Sequence, residues 1–137
     1  MAEHNVNVRI LTPEGKLFDG EVHQLSTRTA DGEIGILANH VPVLGRLRPT
    51  ELRLELPGGE VQRWAQAEGW LQVFANRATV LVGEAVPPDQ LDQGELRSRI
   101  EDADARLRES EEDSGAWTQA QKDKERAEAF LEVAGSG

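Results

Sequence analysis

The chain has 137 residues, enough for one compact unit or one domain with an appendage, and enough to bury a core without covalent staples. It holds no cysteine, which excludes disulfides, thiolate metal sites and cysteine nucleophiles. Its net charge of −10 argues against a general nucleic-acid binder, which needs a basic surface. Ala2-Glu3-His4-Asn5 is polar and no apolar run approaches the ~18 residues of a membrane helix, so neither a signal peptide nor a membrane span is expected.

The first 86 residues read as strands. Val6, Val8 and Ile10 alternate with Asn7 and Arg9, the period of a half-buried strand. Thr12-Pro13-Glu14-Gly15 is turn chemistry, and Leu17-Phe18 and then Val22 to Thr29 predict two further strands. Ala30-Asp31-Gly32-Glu33 turns the chain into Ile34 to Leu37. Leu52, Leu54 and Leu56 alternate with charged residues before the hairpin signal Pro57-Gly58-Gly59, and Val61, Arg63 and Trp64 follow it. Trp70 to Ala75 and Ala78 to Val86 flank a reversal at Asn76-Arg77. Strands this closely spaced predict an antiparallel β-sandwich or barrel, with Trp64 and Trp70 filling it.

The stretch Gly32 to Pro42 (GEIGILANHVP) reads as a shaped loop running off a strand. Gly32 and Gly35 permit unusual backbone angles, and Pro42 fixes its own φ. It carries two ionisable side chains, Glu33 and His40. It is not a phosphate loop, since no Lys-Ser/Thr follows and no helix begins there. His4, His23 and His40 lack ligand spacing, so no metal site is expected. Nothing like a nucleophile elbow surrounds Ser26, which disfavours a hydrolase built on Ser26, Asp31 and His40.

Beyond Pro87-Pro88 the period turns helical. Leu96, Ile100, Ala103 and Leu107 form one stripe, and Asp92-Gln93-Gly94-Glu95 resembles a capping box. After the polar run Glu109 to Gly115, a second helix is predicted from Trp117 to Ala134, with Trp117, Ala120, Ala127, Leu131 and Ala134 as its stripe and Lys124 interrupting it. The result is an antiparallel two-helix hairpin with thin, alanine-rich stripes, which must lean on the sandwich or on a partner. The chain thus divides into a sandwich, residues 1–87, and a helical hairpin, residues 88–137. Residues 1–88 carry a net charge of −3 and residues 89–137 a net of −7.

The GEIGIL-x-NH-x-P segment, the hairpin from Gly69 to Leu81 (GWLQVFANRATVL) and the acidic helical pair together resemble the ε subunit of the F-type ATP synthase, whose mitochondrial counterpart is called δ. The resemblance covers nearly the whole chain. It implies a non-catalytic rotor subunit at the foot of the central stalk, with the γ subunit and the c-subunit ring as partners, and the α/β subunits when the hairpin extends to hinder ATP hydrolysis. It implies membrane contact only through the complex, at the cytoplasmic face of a bacterial plasma membrane, and no nucleic-acid partner. Asp31, Gly32, Glu33, Asn39, His40 and Pro42 match the segment that the family places against the c ring and γ, although proline usually stands where this chain has Ala38.

The family's ATP-binding motif fits less well. Leu91 and Asp92 match its start and Arg126 matches one basic position on the second helix, but Glu95 replaces the expected arginine and Phe130 another base. An acid facing a triphosphate repels it, so weak or absent ATP binding and no cofactor are expected. The hairpin bases Arg97, Arg99, Arg106, Arg108, Lys122, Lys124 and Arg126 are candidates for contact with an acidic segment of the β subunit, and Trp117 for an anchor. Because the hairpin is net acidic, only modest inhibition is expected. The alternative is a free-standing β-sandwich binding module, disfavoured by six aromatics and no tyrosine.

Overall fold

The computed structural model describes residues 4–136; Met1 to Glu3 and Gly137, and with them part of the polar N-terminal segment, lie outside the described residues. Ten strands precede two helices: β1 Val6–Thr12, β2 Gly15–Val22, β3 Gln24–Thr29, β4 Gly32–Ile36, β5 Val43–Leu47, β6 Thr50–Glu55, β7 Val61–Gln66, β8 Gly69–Phe74, β9 Arg77–Val82, β10 Ala85–Val86, α1 Gln93–Glu109 and α2 Gly115–Gly135. A short 3-10 turn at Pro88–Gln90 links β10 to α1.

The strands form one continuous curled sheet in the order β10-β7-β6-β3-β5-β8-β9-β1-β2, with β4 on the other edge of β3. It folds over at β3, which pairs with β6 through Gln24 to Ser26 and with β5 only at Thr29↔Leu47. The two limbs therefore face each other. Val6, Val8, Ile10, Leu71, Val73, Ala78 and Val80 from one limb meet Leu25, Ile36, Leu52, Leu54 and Trp64 from the other. The period-two alternation places these side chains inward. Phe18 packs edge-on against Trp64 at 6.4 Å. The corner is fixed by a buried polar bridge: Thr27 Oγ1 donates to Gln66 Oε1 at 2.8 Å, and Gln66 Nε2 donates to the Arg48 carbonyl at 2.9 Å.

Several local expectations change. The pairing is not wholly antiparallel, because β1 runs parallel to β9; these strands are distant in sequence, so no hairpin constrains their direction. β5 has no signature in the sequence beyond Val43 and Leu47. The reversal between β8 and β9 falls one residue earlier, on Ala75 and Asn76, both with positive φ, as a two-residue hairpin loop requires. Trp70 is not in the core: it is 47% exposed, with the Arg46 guanidinium 5.6 Å above its ring.

The helices form an antiparallel pair folded down onto the sandwich. Asp92 caps α1 by accepting from the Glu95 N–H at 3.1 Å, but Glu95 does not reach back as a capping box would; its carboxylate takes Arg99 at 2.6 Å. Ser114 caps α2 by accepting from the Trp117 N–H at 3.2 Å. The seat on the sandwich explains an oddity of β7. Residues 64–67 are buried in succession, because Trp64 and Gln66 face inward while Ala65 and Ala67 face the helices. These two alanines leave a hollow that Phe130, Val133 and Leu96 fill, with Val86, Leu91, Leu131 and Ala134 around them. The buried face of α2 is thus Ala120, Ala127, Phe130 and Val133. Trp117, half-buried in its first turn, belongs to neither apolar cluster.

Candidate functional site

The stretch read as one loop is a strand between two turns. Ala30 and Asp31 form the first, where Thr29 Oγ1 accepts from the Asp31 N–H and donates to the Gly32 carbonyl, each at 3.2 Å. Gly32 has φ +125°, a conformation that disfavours any side chain. Glu33 follows on β4, directly across from Arg28, with a side chain 83% exposed and 3.5 Å from that guanidinium. A groove of about 220 Å³ runs from Arg28, Glu33 and Glu51 to Glu132, Val133 and Ser136 at the end of α2. The β3–β4 turn therefore adjoins the seat of the hairpin.

The second turn spans Leu37 to His40, closed by the His40 N–H donating to the Leu37 carbonyl at 3.2 Å, with Asn39 at φ 60°. Ala38 occupies the turn position where proline is preferred, so its lack of a ring removes rigidity without changing the path. The Asn39 N–H donates to Asn76 Oδ1 at 2.8 Å, and Asn76 Nδ2 donates to the Asn5 carbonyl at 2.9 Å. His40 Nδ1 lies 2.8 Å from the Val41 carbonyl, which can only accept, so Nδ1 carries a proton there. Pro42 is exposed just before β5. Four strand steps separate Gly32 from Ile36, about 13 Å, so Asp31, Gly32 and Glu33 stand at one end of β4 and Asn39, His40 and Pro42 beyond the other.

What accompanies His40 was not anticipated from the sequence. Leu37, Val41, Leu44 and Phe74 are 48%, 69%, 75% and 65% exposed, and Trp70 and Leu81 continue the same outer face. The register places Arg46, Trp70 and Leu81 in one row and Leu44 beside Gln72 in the next. The signal lay in β8 itself. Gly69-Trp70-Leu71-Gln72-Val73-Phe74 carries Leu71 and Val73 on one face and Trp70 and Phe74 on the other, as a strand covered on both sides would.

The hairpin bases do not gather on one face. Arg99 is bonded to Glu95, Arg106 to Asp102 at 3.1 Å and Asp123 at 2.9 Å, and Lys124 to Asp104 at 2.8 Å. Arg97 holds Gln93 at 3.2 Å, and Arg126 reaches Glu68 of the sandwich at 2.9 Å. Arg108 and Lys122 are exposed. Burial alone would raise the Asp123 carboxyl, but hydrogen bonds from Gln119 and Arg106 outweigh it and hold it below its ordinary 3.8. The hydrogen bond to Asp104 raises the Lys124 ammonium above its ordinary 10.5.

Between the helices lies a cleft of about 380 Å³, lined by Glu95, Arg99, Asp102, Arg106, Asp123 and Arg126 among others. Each of its three arginines already faces a carboxylate. Leu91 and Asp92 fall in an adjoining hollow of about 110 Å³, where Asp92 serves as the helix cap. Among the described residues no group of acids and histidines is arranged to hold a metal ion, and no helix is long and apolar enough to cross a membrane.

Comparison with known proteins agrees with this architecture. The family model of the ATP synthase delta/epsilon chain β-sandwich domain matches residues 5–88. The ATP synthase epsilon chain of Persephonella marina is 40% identical over 129 residues, covering 93% of this chain and 95% of its own length. That of Halalkalibacterium halodurans is 32% identical over 130 residues, covering 95% and 97%. A chain in the OSCP/F1/c-ring structure of the Euglena gracilis mitochondrial ATP synthase superposes with a TM-score of 0.83 at 25% identity, covering 96% of this chain and 81% of that one. A chain of the Tetrahymena thermophila central stalk and c-ring shares the fold with a TM-score of 0.61 at 19% identity, covering 98% and 99%. The chain belongs to the ATP synthase delta/epsilon family.

Proposed function

We propose that this chain is the non-catalytic rotor coupler of an F-type ATP synthase, whose sandwich joins the γ subunit to the c ring and whose hairpin modestly restrains ATP hydrolysis. Family membership makes it a central-stalk subunit; the surfaces follow from the geometry. The observation that carries the docking role is the exposed apolar face of Leu44, Trp70, Phe74 and Leu81, with Val41 at its rim. A contiguous apolar patch of this kind marks an interface, and γ is its occupant here. Glu33, exposed at the far end of β4, faces the polar loops of the c ring, where a rim charge sets register and encounter more than affinity. His40 and Asn39 shape the turn between the two surfaces.

The folded hairpin is the non-inhibiting position. Extension requires it to leave the Ala65–Ala67 hollow and rise toward the α/β subunits. ATP binds weakly or not at all, since the interhelix cleft offers three arginines that are already neutralised and places Glu95 beside them. Isothermal titration of ATP into the full chain is expected to give no low-micromolar dissociation constant; such a constant would overturn that expectation. Through its complex the chain sits at the cytoplasmic face of a bacterial plasma membrane.

Co-purification is the test of the rotor reading. A tagged chain expressed with γ and c subunits is expected to capture both, and a chain that stays monomeric beside γ would overturn it. Removing residues 89–137 is expected to raise ATP hydrolysis by the assembled enzyme, and an unchanged rate would remove the inhibitory role.

A further inference from the structure

The two halves of this molecule carry charges of the same sign, −3 on the strands and −7 beyond them, yet they lie packed together. Their apolar seam is small, centred on Phe130 and Val133 against two alanines. The polar contacts across it are therefore informative. Arg126 donates from Nη2 and Nε to Glu68 Oε1 at 2.9 and 3.1 Å, and its Nη1 lies 3.7 Å from Glu84 Oε1. Glu68 belongs to the β7–β8 turn and Glu84 to the link between β9 and β10. One side chain thus ties α2 to two separate turns of the sandwich.

The neighbouring contact runs the other way, from Arg48 on the sandwich to Glu125. At the end of α2, Arg63 donates to the Ser136 carbonyl at 3.0 Å and to its hydroxyl at 2.8 Å. Of the hairpin's seven bases, Arg99, Arg106 and Lys124 bond within the hairpin and Arg97 to its own helix; among the described residues Arg126 is the one bonded to the sandwich. It lies one turn before Phe130 on the same helix face, so the charge contact and the apolar plug close together.

We propose that Arg126 is an electrostatic clasp that holds the hairpin folded against the mutual repulsion of two acidic halves, so that its release frees the hairpin to extend. This rests on the regulatory reading above and assigns that regulation to a named contact between the chain's own groups. Loss of the clasp exposes two carboxylates, Glu68 and Glu84, to an already acidic hairpin, so reversing the charge acts more strongly than neutralising it.

The full chain without native cysteine accepts two spin labels cleanly, one at Glu112→Cys in the inter-helix turn and one at Glu60→Cys in the β6–β7 turn. Pulsed-dipolar distances are then compared in the parent, Arg126→Gln, Arg126→Glu, and Arg126→Glu combined with Glu68→Arg. The open population is expected to rise by at least about tenfold in Arg126→Glu, the scale of losing a charge-assisted hydrogen bond, and by less in Arg126→Gln. Raising NaCl from about 0.01 M to about 1 M shortens the Debye length from about 30 Å to about 3 Å and is expected to reclose Arg126→Glu, as is the charge swap. An unmoved distance in Arg126→Glu would overturn the clasp, as would an opening that neither salt nor the swap reverses. The isolated chain supplies this readout, so a failed capture of γ and c would count against the rotor reading alone.

Discussion

Phe130→Ala probes how separately the hairpin and the sandwich are stabilised. Phe130 is 1% exposed and fills the hollow over Ala65 and Ala67. Removing a buried phenylalanine ring costs about 3–5 kcal/mol when the cavity stays open. The floor of this cavity is a strand paired on both sides, by β6 and β10, so it cannot collapse into the space. The helix can move instead, because the sandwich retains its own core of Val6, Val8, Ile10, Leu25, Leu52, Leu71 and Val80. The loss therefore falls on hairpin docking. Native-state hydrogen exchange followed residue by residue reads this directly. Amides near the middle of α2 are expected to lose at least about 100-fold in protection, the counterpart of about 3 kcal/mol, while amides of β1 and β9 keep theirs. Equal losses in α2 and β1 would show a single cooperative unit, and unchanged α2 protection would show that Phe130 does not hold the seam; either result would refute the reasoning.

Other substitutions address the sandwich. A Cβ built on Gly69 would lie 1.9 Å from the Leu81 carbonyl oxygen and 2.8 Å from Val82 Cα, both backbone atoms of the neighbouring strand. Gly69→Ala must force β8 and β9 apart, and a loss of at least about 3 kcal/mol is expected in urea unfolding. Ala75 has φ 51° in the β8–β9 turn, so Ala75→Gly relieves a left-handed alanine and is expected to stabilise by about 1 kcal/mol in the same assay. The helix pair should also respond to pH. The Asp123 carboxyl is held low, so its contribution is complete above its unfolded value near 3.8 and is lost as pH falls through the lower folded value. The Lys124 ammonium is held high, so its contribution is complete below 10.5 and is lost as pH rises through the higher folded value. Circular dichroism of the full chain is expected to show hairpin stability flat between these limits, and Asp123→Asn to flatten the acid limb.

Much of the fold was legible because it rests on local patterns. The alternation of Val6, Val8 and Ile10, the Pro57-Gly58-Gly59 turn and the Leu96–Ala103 stripe each encode their element within a few residues. What escaped depends on distant partners. The parallel pairing of β1 with β9 joins opposite ends of the sandwich, and β5 is defined by pairing with β8 rather than by its own short sequence. Trp70 is apolar enough to be read as core, yet the pleat turns it outward beside Leu81. Glu33 and His40 were legible as neighbours in sequence, but β4 between them assigns each to a different surface. The candidate bases of the hairpin were visible by type, whereas their partners could be seen only once two helices and two turns had met.

The central claim is that the β3–β4 turn faces the c ring in the assembled enzyme. The chain lacks cysteine and the Glu33 side chain is 83% exposed, so Glu33→Cys provides a unique reactive position. Oxidative crosslinking against a cysteine in the polar loop of the c subunit is expected to give a c-linked product and to block proton-driven rotation until it is reduced. An assembled, active enzyme in which Glu33→Cys forms no such product, while a cysteine on the opposite turn at Glu60 does, would contradict the account.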